Sequence, residues 1–257
     1  GTLGRETAPL AGEILPLPWH WIFFTPLTRA DATGRDGHPT RGSFLPPVDL
    51  PRRMWAGGRV WMHGGLRVGQ RAVRESRIAD VTVKQGSQGS LVFVLVEHHY
   101  TDPAGVQLLR EEQDIVYRDP PARGARPPGQ RPPGSSHWSR AVVPDPVLLF
   151  RYAALTFNAH RIHYDRDWAV KEEGYPGLVV QGPLTATLLL DLLYRNQPGR
   201  QVTGFSFRGL SPLFDLAPFE LHGTVLEGEA GLWAQSPDNT LAMTLDCKLD
   251  AAADNKG

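Results

Sequence analysis

The chain has 257 residues with 27 basic and 27 acidic side chains, so its formal charge is zero. A nucleic-acid partner is not expected, because neutralising phosphates takes a basic surplus or a basic face. Apolar residues at 41 % and charged residues at 21 % fit a globular chain able to bury one or two cores, which excludes global disorder.

The segment from Trp19 to Met54, with "WHWIFFTPL" and "GSFLPPVDLPRRMW", is too rich in Gly, Pro and Thr for a long helix. It is expected to be irregular and to cover a site. From Arg59 to Arg118 the pattern turns strand-like: "RVWMHGGLRV", "RAVRESRIADVTVKQ", "GSLVFVLVEHHYTD" and "GVQLLREEQDIVYRD" are rich in Val, Ile, Leu and aromatics between Gly-bearing turns. The expectation is a four-stranded antiparallel meander.

Proline and glycine then crowd "RDPPARGARPPGQRPPGSSH" and leave little capacity for sheet pairing. This reads as a linker over 119–137 between an N-terminal unit, 1–118, and a C-terminal unit, 138–257.

"DPVLLFRYAAL" opens a helix, with Asp145 as N-cap and Pro146 at the first helical position. Directly after it, "NAHRIHYD" places Asn158, His160, Arg161, His163 and Asp165 within eight positions. "DRDWAVKEEG" reads as a short second helix ending at Gly174. "GPLTATLLLDLLYRN" starts at Gly182 and Pro183 and is apolar nearly all round, so it is expected to be a long buried helix. Its apolar run is interrupted by Asp191 and is far short of the roughly 20 residues that span a bilayer, so no membrane span is expected. Four further strands follow in "RQVTGFSFRGLSP", "APFELHGTVLEG", "GLWAQSP" and "TLAMTLDCKLD". The last holds the single cysteine, Cys247, which excludes an internal disulfide. With no secretory signal pattern at the start, a cytoplasmic or organelle-matrix location is expected.

Three chemistries compete for "NAHRIHYD". A metal site ranks low: no HExxH helix or cysteine set accompanies the histidine pair, and Arg161 opposes a cation. A nucleophilic triad ranks lower, since "GLSPL" lacks the Gly-x-Ser-x-Gly turn. General acid–base catalysis fits best, because imidazole titrates near neutrality and "GYPGLVVQGPL" ends at a helix N-terminus whose free N–H groups can polarise a carbonyl. The other seven histidines, His38 among them, are read as structural.

"ALTFNAHRIHYDRDWAVKEEGYPGLVVQGPL" resembles the MaoC-like (R)-specific enoyl-CoA hydratase/dehydratase family of the hotdog superfamily. "RRMWAGG", "EEQDIVYR" and "FNAHRIHYD" together resemble its two-hotdog subgroup, which contains mesaconyl-C4-CoA and itaconyl-CoA hydratases and hydroxyacyl-thioester dehydratases. The resemblance implies an α+β double hotdog: curved antiparallel sheets, a degenerate first unit, and a long buried central helix in the second. It implies an acyl-CoA substrate, no cofactor and no metal, and leaves room for a homodimer or higher homo-oligomer.

It also implies His163 as catalytic histidine and Gly182 as the N–H that binds the thioester oxygen. Asn158 stands where the family has an aspartate, and an amide cannot accept a proton at neutral pH. A carboxylate from elsewhere could substitute, with Asp165 nearest in sequence and Glu112 or Asp114 further off. Gln181 replaces the histidine before the oxyanion glycine, and Pro183 offers no N–H. Arg161, Tyr164, Gln181 and Asp165 are candidates for binding substrate, although an ion pair of Arg161 with Asp165 or Asp167 is the stronger reading. Arg52, Arg53 and Arg59 are candidate clamps for a substrate carboxylate and equally for coenzyme A phosphates, with a surface role as the default reading. A hotdog thioesterase and a non-catalytic acyl-CoA-binding module are the rival functions.

Overall fold

The computed structural model describes residues 1–86, 89–119 and 129–250. Its strands are β1 (Arg52–Met62), β2 (Val73–Gly86), β3 (Gly89–Thr101), β4 (Gln107–Arg118), β5 (Trp138–Val142), β6 (Val202–Gly209), β7 (Phe219–Leu226), β8 (Glu229–Gln235) and β9 (Leu241–Leu249). Among the described residues they form one antiparallel sheet in the order β2-β3-β4-β1-β6-β9-β8-β7-β5. Each strand expected from the sequence is present, and the neighbours differ from the expectation.

In place of a simple meander, β2, β3 and β4 follow one another and β1 lies beyond β4, with Arg53 opposite Tyr117 and Val60 opposite Glu111. The other edge of β1 pairs with β6, Arg59 facing Ser206. Glycine makes this central position possible. A Cβ on Gly57 would stand 2.7 Å from the Phe207 carbonyl oxygen, and one on Gly58 would stand 2.7 Å from that of Glu112. The two strands flanking β1 therefore approach its backbone too closely for a side chain. Likewise β6 pairs with β9 and not with β7. The short edge strand β5, paired with β7, was not foreseen. The proline-rich stretch falls over 120–128 outside the described residues, and its far end is tied to the sheet by the Leu241 N–H donating to the Gln130 carbonyl at 2.8 Å.

Helix α1 (Pro146–Leu155) is capped as its sequence dictates, the Leu148 N–H donating to the Asp145 carboxylate at 2.7 Å. Helix α2 (Gly182–Asn196) buries every residue from Leu184 to Leu193 and packs across β5, β7, β8 and β9. Asp191, whose side chain is 1 % exposed, is held within that helix by Arg5, Arg140 and Arg195 at 2.6, 2.8 and 2.7 Å. The short helix expected in "DRDWAVKEEG" is instead a π-type turn, Trp168–Glu172, closed by Glu173 N–H on the Trp168 carbonyl at 3.1 Å and ended by Gly174 at φ +72°. Its wider ring follows from the Asp165 cap on Trp168 and the Tyr175 N–H folding back on Ala169.

Before β1 begins at Arg52, the segment from Trp19 holds two 3₁₀ turns, Trp19–Ile22 and Ala30–Ala32. Its first part is pinned to β4: His20 and Trp21 donate to the fully buried Glu111 carboxylate at 3.1 and 2.9 Å. No helix among the described residues is long and apolar enough to cross a membrane.

Candidate active site

Helix α1 ends in a paired turn. Asn158 N–H donates to the Ala153 carbonyl at 2.8 Å and Phe157 N–H to Ala154 at 3.3 Å, with Phe157 in the left-handed region at φ +52°. This is a Schellman stop with phenylalanine where glycine is usual, a conformation that costs about 1 kcal/mol and recurs at functional sites. It turns the chain sharply so that Asn158–Tyr164 forms a loop, with Arg161–His163 as a single 3₁₀ turn. Asn158 Oδ1 accepts the His160 N–H at 3.1 Å, so its acceptor atom is engaged in holding the loop.

The loop lies against "GLVVQG". The Val179 N–H donates to the Ile162 carbonyl at 2.9 Å, and the Val180 N–H donates to Leu213 at 2.9 Å. His163, 7 % exposed, donates from Nδ1 to the Val179 carbonyl at 2.7 Å. A carbonyl can only accept, so the neutral ring carries its proton on Nδ1 and keeps the Nε2 lone pair. Burial pulls this imidazole down to about 4, against the pull of the Val179 carbonyl. Nε2 has no partner among the described residues and is not sealed from solvent.

Three residues after Val179, α2 begins. The Gly182 N–H finds no acceptor among the described residues, which leaves it, with the helix dipole, free for a ligand oxygen. The Trp55 carbonyl and Met243 stand 3.8 and 3.9 Å from the place a Gly182 Cβ would occupy, so β1 walls this helix end. Gln181 is buried, donates from Nε2 to the Leu149 carbonyl at 3.0 Å, and leaves Oε1 without a partner.

The segment 34–38 closes over the loop. Arg161 N–H donates to the Asp36 carbonyl at 2.8 Å, and Gly37, at φ +87°, passes so close that a Cβ there would stand 1.8 Å from the Ala159 oxygen. This brings in His38, whose ring lies over His160 with centroids 3.8 Å apart and planes tilted by 36°, while His160 meets His163 edge-on at 5.4 Å. Burial, then the positive charge potential of His38 and His163, drives His160 down to about 2. Asp36 Oδ2 lies 3.0 Å from His38 Nδ1. Although burial would raise the Asp36 carboxyl, the His38 hydrogen bond and charge hold it well below the usual carboxylate range. Asp36, His38 and His160 carry ligand-type atoms within 4.8 Å of one another. Yet Nδ1 of His38 is taken by Asp36 and the Arg53 charge bears on both rings, so the group is built as a carboxylate-backed imidazole and not as a cation cage.

Other candidates are engaged elsewhere. Arg161 clasps Asp165 at 2.6 Å and lies 4.2 Å over the Trp168 ring, and Asp165 also caps Trp168. Tyr164 is exposed and donates to the Ala159 carbonyl at 3.0 Å. Glu112 and Asp114 both bind Arg59, at 2.6 and 2.8 Å. Arg52 donates to the Glu173 carbonyl at 2.6 Å and covers the Tyr175 ring. Glu173 is half-buried, with Oε1 4.0 Å from His160 Nε2. Arg53, half-buried, makes no hydrogen bond or ion pair among the described residues. The sequence reading had set His38 aside and did not weigh Asp36. The one local signal was "RDGH", an aspartate two residues before a histidine across a glycine that can take positive φ.

A family model for hydroxyacyl-thioester dehydratase type 2 matches residues 18–215. The chain is 49 % identical over 243 residues to a mesaconyl-C(4)-CoA hydratase of Chloroflexus aurantiacus, covering 94 % of this chain and 86 % of that protein. It is 27 % identical over 227 residues to a mitochondrial hydroxyacyl-thioester dehydratase type 2 of Schizosaccharomyces pombe, covering 79 % and 75 % of the two chains. The crystal structure of HtdX from Mycobacterium tuberculosis shares the fold, with a TM-score of 0.67 at 16 % identity over 96 % of this chain and 90 % of that one. The chain therefore belongs to the hydroxyacyl-thioester dehydratase type 2 family.

Proposed function

We propose that this protein adds water reversibly to the double bond of a short enoyl-CoA thioester, with an acyl group of the mesaconyl-C4 type. The carrying observation is that one continuous segment ties a base to an oxyanion donor: Val179 fixes the His163 tautomer, and three residues later the Gly182 N–H is open at the start of α2. His163 Nε2 accepts a hydrogen bond from the attacking water. As oxygen bonds to Cβ, the π pair moves towards the thioester carbonyl, where Gly182 N–H and the helix dipole meet the growing charge. Proton transfer and charge stabilisation suffice for this step, and no redox or group-carrying cofactor is called for. Asn158 supports the loop and does not take the proton, its oxygen being bonded to the His160 N–H.

We read the chain as two hotdog units, 1–118 and 138–257, sharing one sheet, with α2 as the central helix of the second. In the first, Trp19–Ile22 and its bonds to Glu111 occupy the inner side in place of a helix. A single chain then supplies the pair of units that single-hotdog enzymes obtain by dimerising. Arg53 supports a dicarboxylic acyl group, because Arg52 and Arg59 are already bonded and a free guanidinium matches a carboxylate bidentately. A cytoplasmic setting suits the acyl-CoA substrate and the lone, buried Cys247.

The test is to incubate the protein with mesaconyl-C4-CoA, itaconyl-CoA and crotonyl-CoA while following enoyl absorbance and free thiol together. Absorbance loss without thiol, abolished by His163→Ala, is expected. Thiol release would make the protein a thioesterase, and no turnover of any of the three would overturn the reading.

A further inference from the structure

The site as described has one imidazole with a free Nε2 and an asparagine that cannot take a proton. Hydration asks for more: the attacking water has two O–H bonds, and one of its protons must leave and return at Cα. One ring beyond His160, which lies against His163, stands an imidazole with a carboxylate behind it, His38. Asp36 grips it twice, Oδ1 accepting the His38 backbone N–H and Oδ2 facing Nδ1, both at 3.0 Å. A carboxylate on Nδ1 fixes the proton there and leaves Nε2 as acceptor, the arrangement that makes an imidazole a base whose protonated form is stabilised from behind.

The position of this pair is set by the fold. The Asp36 carbonyl accepts the Arg161 N–H at 2.8 Å, the Arg35 carbonyl accepts Arg161 Nη1 at 3.3 Å, and Gly37 lies on Ala159 with no room for a side chain. The segment is thus docked by backbone contacts onto the loop that carries His163. The His38 ring lies on His160, which in turn meets His163. His38 keeps 22 % of its side chain open, and its Nε2 has no partner among the described residues. The charged and titratable groups around it are Asp36 and Arg41 on its own segment, Arg53 on β1, and His160 and His163 on the facing loop.

We propose that His38, backed by Asp36, is the second catalytic histidine of the hydration site, supplying the proton acceptor that Asn158 cannot. One O–H of the water points to His163 Nε2 and the other to His38 Nε2. When the oxygen bonds to Cβ, the O–H bond to His38 breaks and its proton moves to Nε2, while the C=C π pair shifts onto Cα and the thioester. The His38 Nε2–H then gives that proton to Cα, forming the C–H bond and restoring the neutral ring. Atoms and charge balance with water and the enoyl thioester alone. Asp36 touches neither, so it is a positioning residue that acts through His38.

The proposal rests on the hydratase reading, and the experiment separates the two. Wild type, His38→Ala, His38→Gln, Asp36→Asn and the double variant Asp36→Asn/His38→Ala are assayed with mesaconyl-C4-CoA, alongside melting temperatures. His38→Ala is expected to lose about 10²- to 10⁴-fold in kcat with little change in KM. Added imidazoles should restore its rate in proportion to their basicity. The double variant should be no slower than His38→Ala, because Asp36 works only through the ring that has gone. Near wild-type kcat in His38→Gln would overturn the proposal while leaving the hydratase reading standing. So would a loss in His38→Ala that imidazoles do not restore and that tracks a lowered melting temperature in both His38 variants. Inactivity of the wild type would instead remove the hydratase reading itself.

Discussion

His163 donates from Nδ1 to the Val179 carbonyl at 2.7 Å, and this one bond decides which of its nitrogens can work on substrate. Burial disfavours the imidazolium and holds the ring at about 4, below its ordinary 6.5. The base is therefore neutral across the physiological range. The plot of kcat/KM against pH should stay flat as pH falls through 6.5 and bend down only below it, because burial lowers His38 as well as His163, the limb belonging to the free enzyme. A bend at 6.5 would show that one of these two rings is solvated in the working state. His163→Ala removes the acceptor that positions the attacking water and should cost about 100-fold in kcat.

Arg53 gives a prediction about selectivity. Its neighbours Arg52 and Arg59 are held by the Glu173 carbonyl and by Glu112 and Asp114. If the free guanidinium of Arg53 binds the far carboxylate of the acyl group, Arg53→Gln removes a charge-assisted hydrogen bond worth about 1.5–3 kcal/mol, or about 10- to 100-fold in kcat/KM. The loss should appear with mesaconyl-C4-CoA and be absent with crotonyl-CoA, which has no carboxylate. Equal losses on both substrates would assign Arg53 to the coenzyme or to the fold.

Gly37 tests whether the covering segment matters to chemistry. A methyl group there would overlap the Ala159 oxygen, and φ +87° is strained for any L side chain. Gly37→Ala must lift the segment from the loop and shift His38. A displacement near 1 Å at a reacting group can cost about 100-fold in rate. Activity should therefore fall by at least about tenfold while the melting temperature falls only a few degrees, since the segment adds little to the core. Unchanged kcat in this variant would separate segment 34–38 from the reaction.

How legible was this arrangement in the sequence? Strands β1 to β4 and β6 to β9 could be placed because Val, Ile and aromatics recur between glycine turns, and that is local information. Their lateral order could not, because β1 reaches β4 and β6 only across long connections, and the reason it fits there, the bare backbones of Gly57 and Gly58, concerns contacts with Glu112 and Phe207 far along the chain. The π-type turn after Asp165 was equally hidden, since its residues have ordinary helical propensities and the wider ring comes from how the turn closes on Trp168 and Ala169.

The same division runs through the site. Asn158, His163 and Gly182 stand within 25 positions along the chain, and the resemblance of that stretch to a known family carried their roles. Asp36 and His38 lie more than a hundred residues upstream, and only backbone bonds such as that from Arg161 N–H to Asp36 bring them in. Arg161 and Asp165, read as substrate contacts or as a pair, lie bonded to one another beside Trp168. Geometry alone distinguishes those two uses of the same residue types.

Glu111 carries the prediction about stability. Among all the acidic residues of β4, this one is fully buried, and His20, Trp21, Tyr100 and Gln113 converge on it at 2.7–3.1 Å. Burial alone would raise its carboxyl, but the His20 hydrogen bond and charge, the His98 charge and the Gln113 amide outweigh it and hold the group at about 2, below its ordinary 4.5. A depressed carboxylate contributes stability that is complete above 4.5 and is lost as pH falls from 4.5 through 2. His163 and His160, buried neutral, add an earlier loss that begins below 6.5, where the unfolded chain takes up protons that the folded one refuses. Glu111→Gln should therefore cost about 3–5 kcal/mol near neutral pH, as for a broken buried charge network, and flatten the acid dependence between 4.5 and 2 while leaving the earlier loss in place. Urea unfolding followed by tryptophan fluorescence at several pH values measures both effects, because Trp21 sits on the carboxylate itself. A variant as stable as wild type at pH 7 would mean that the segment holding His20 and Trp21 stays in place by apolar packing alone.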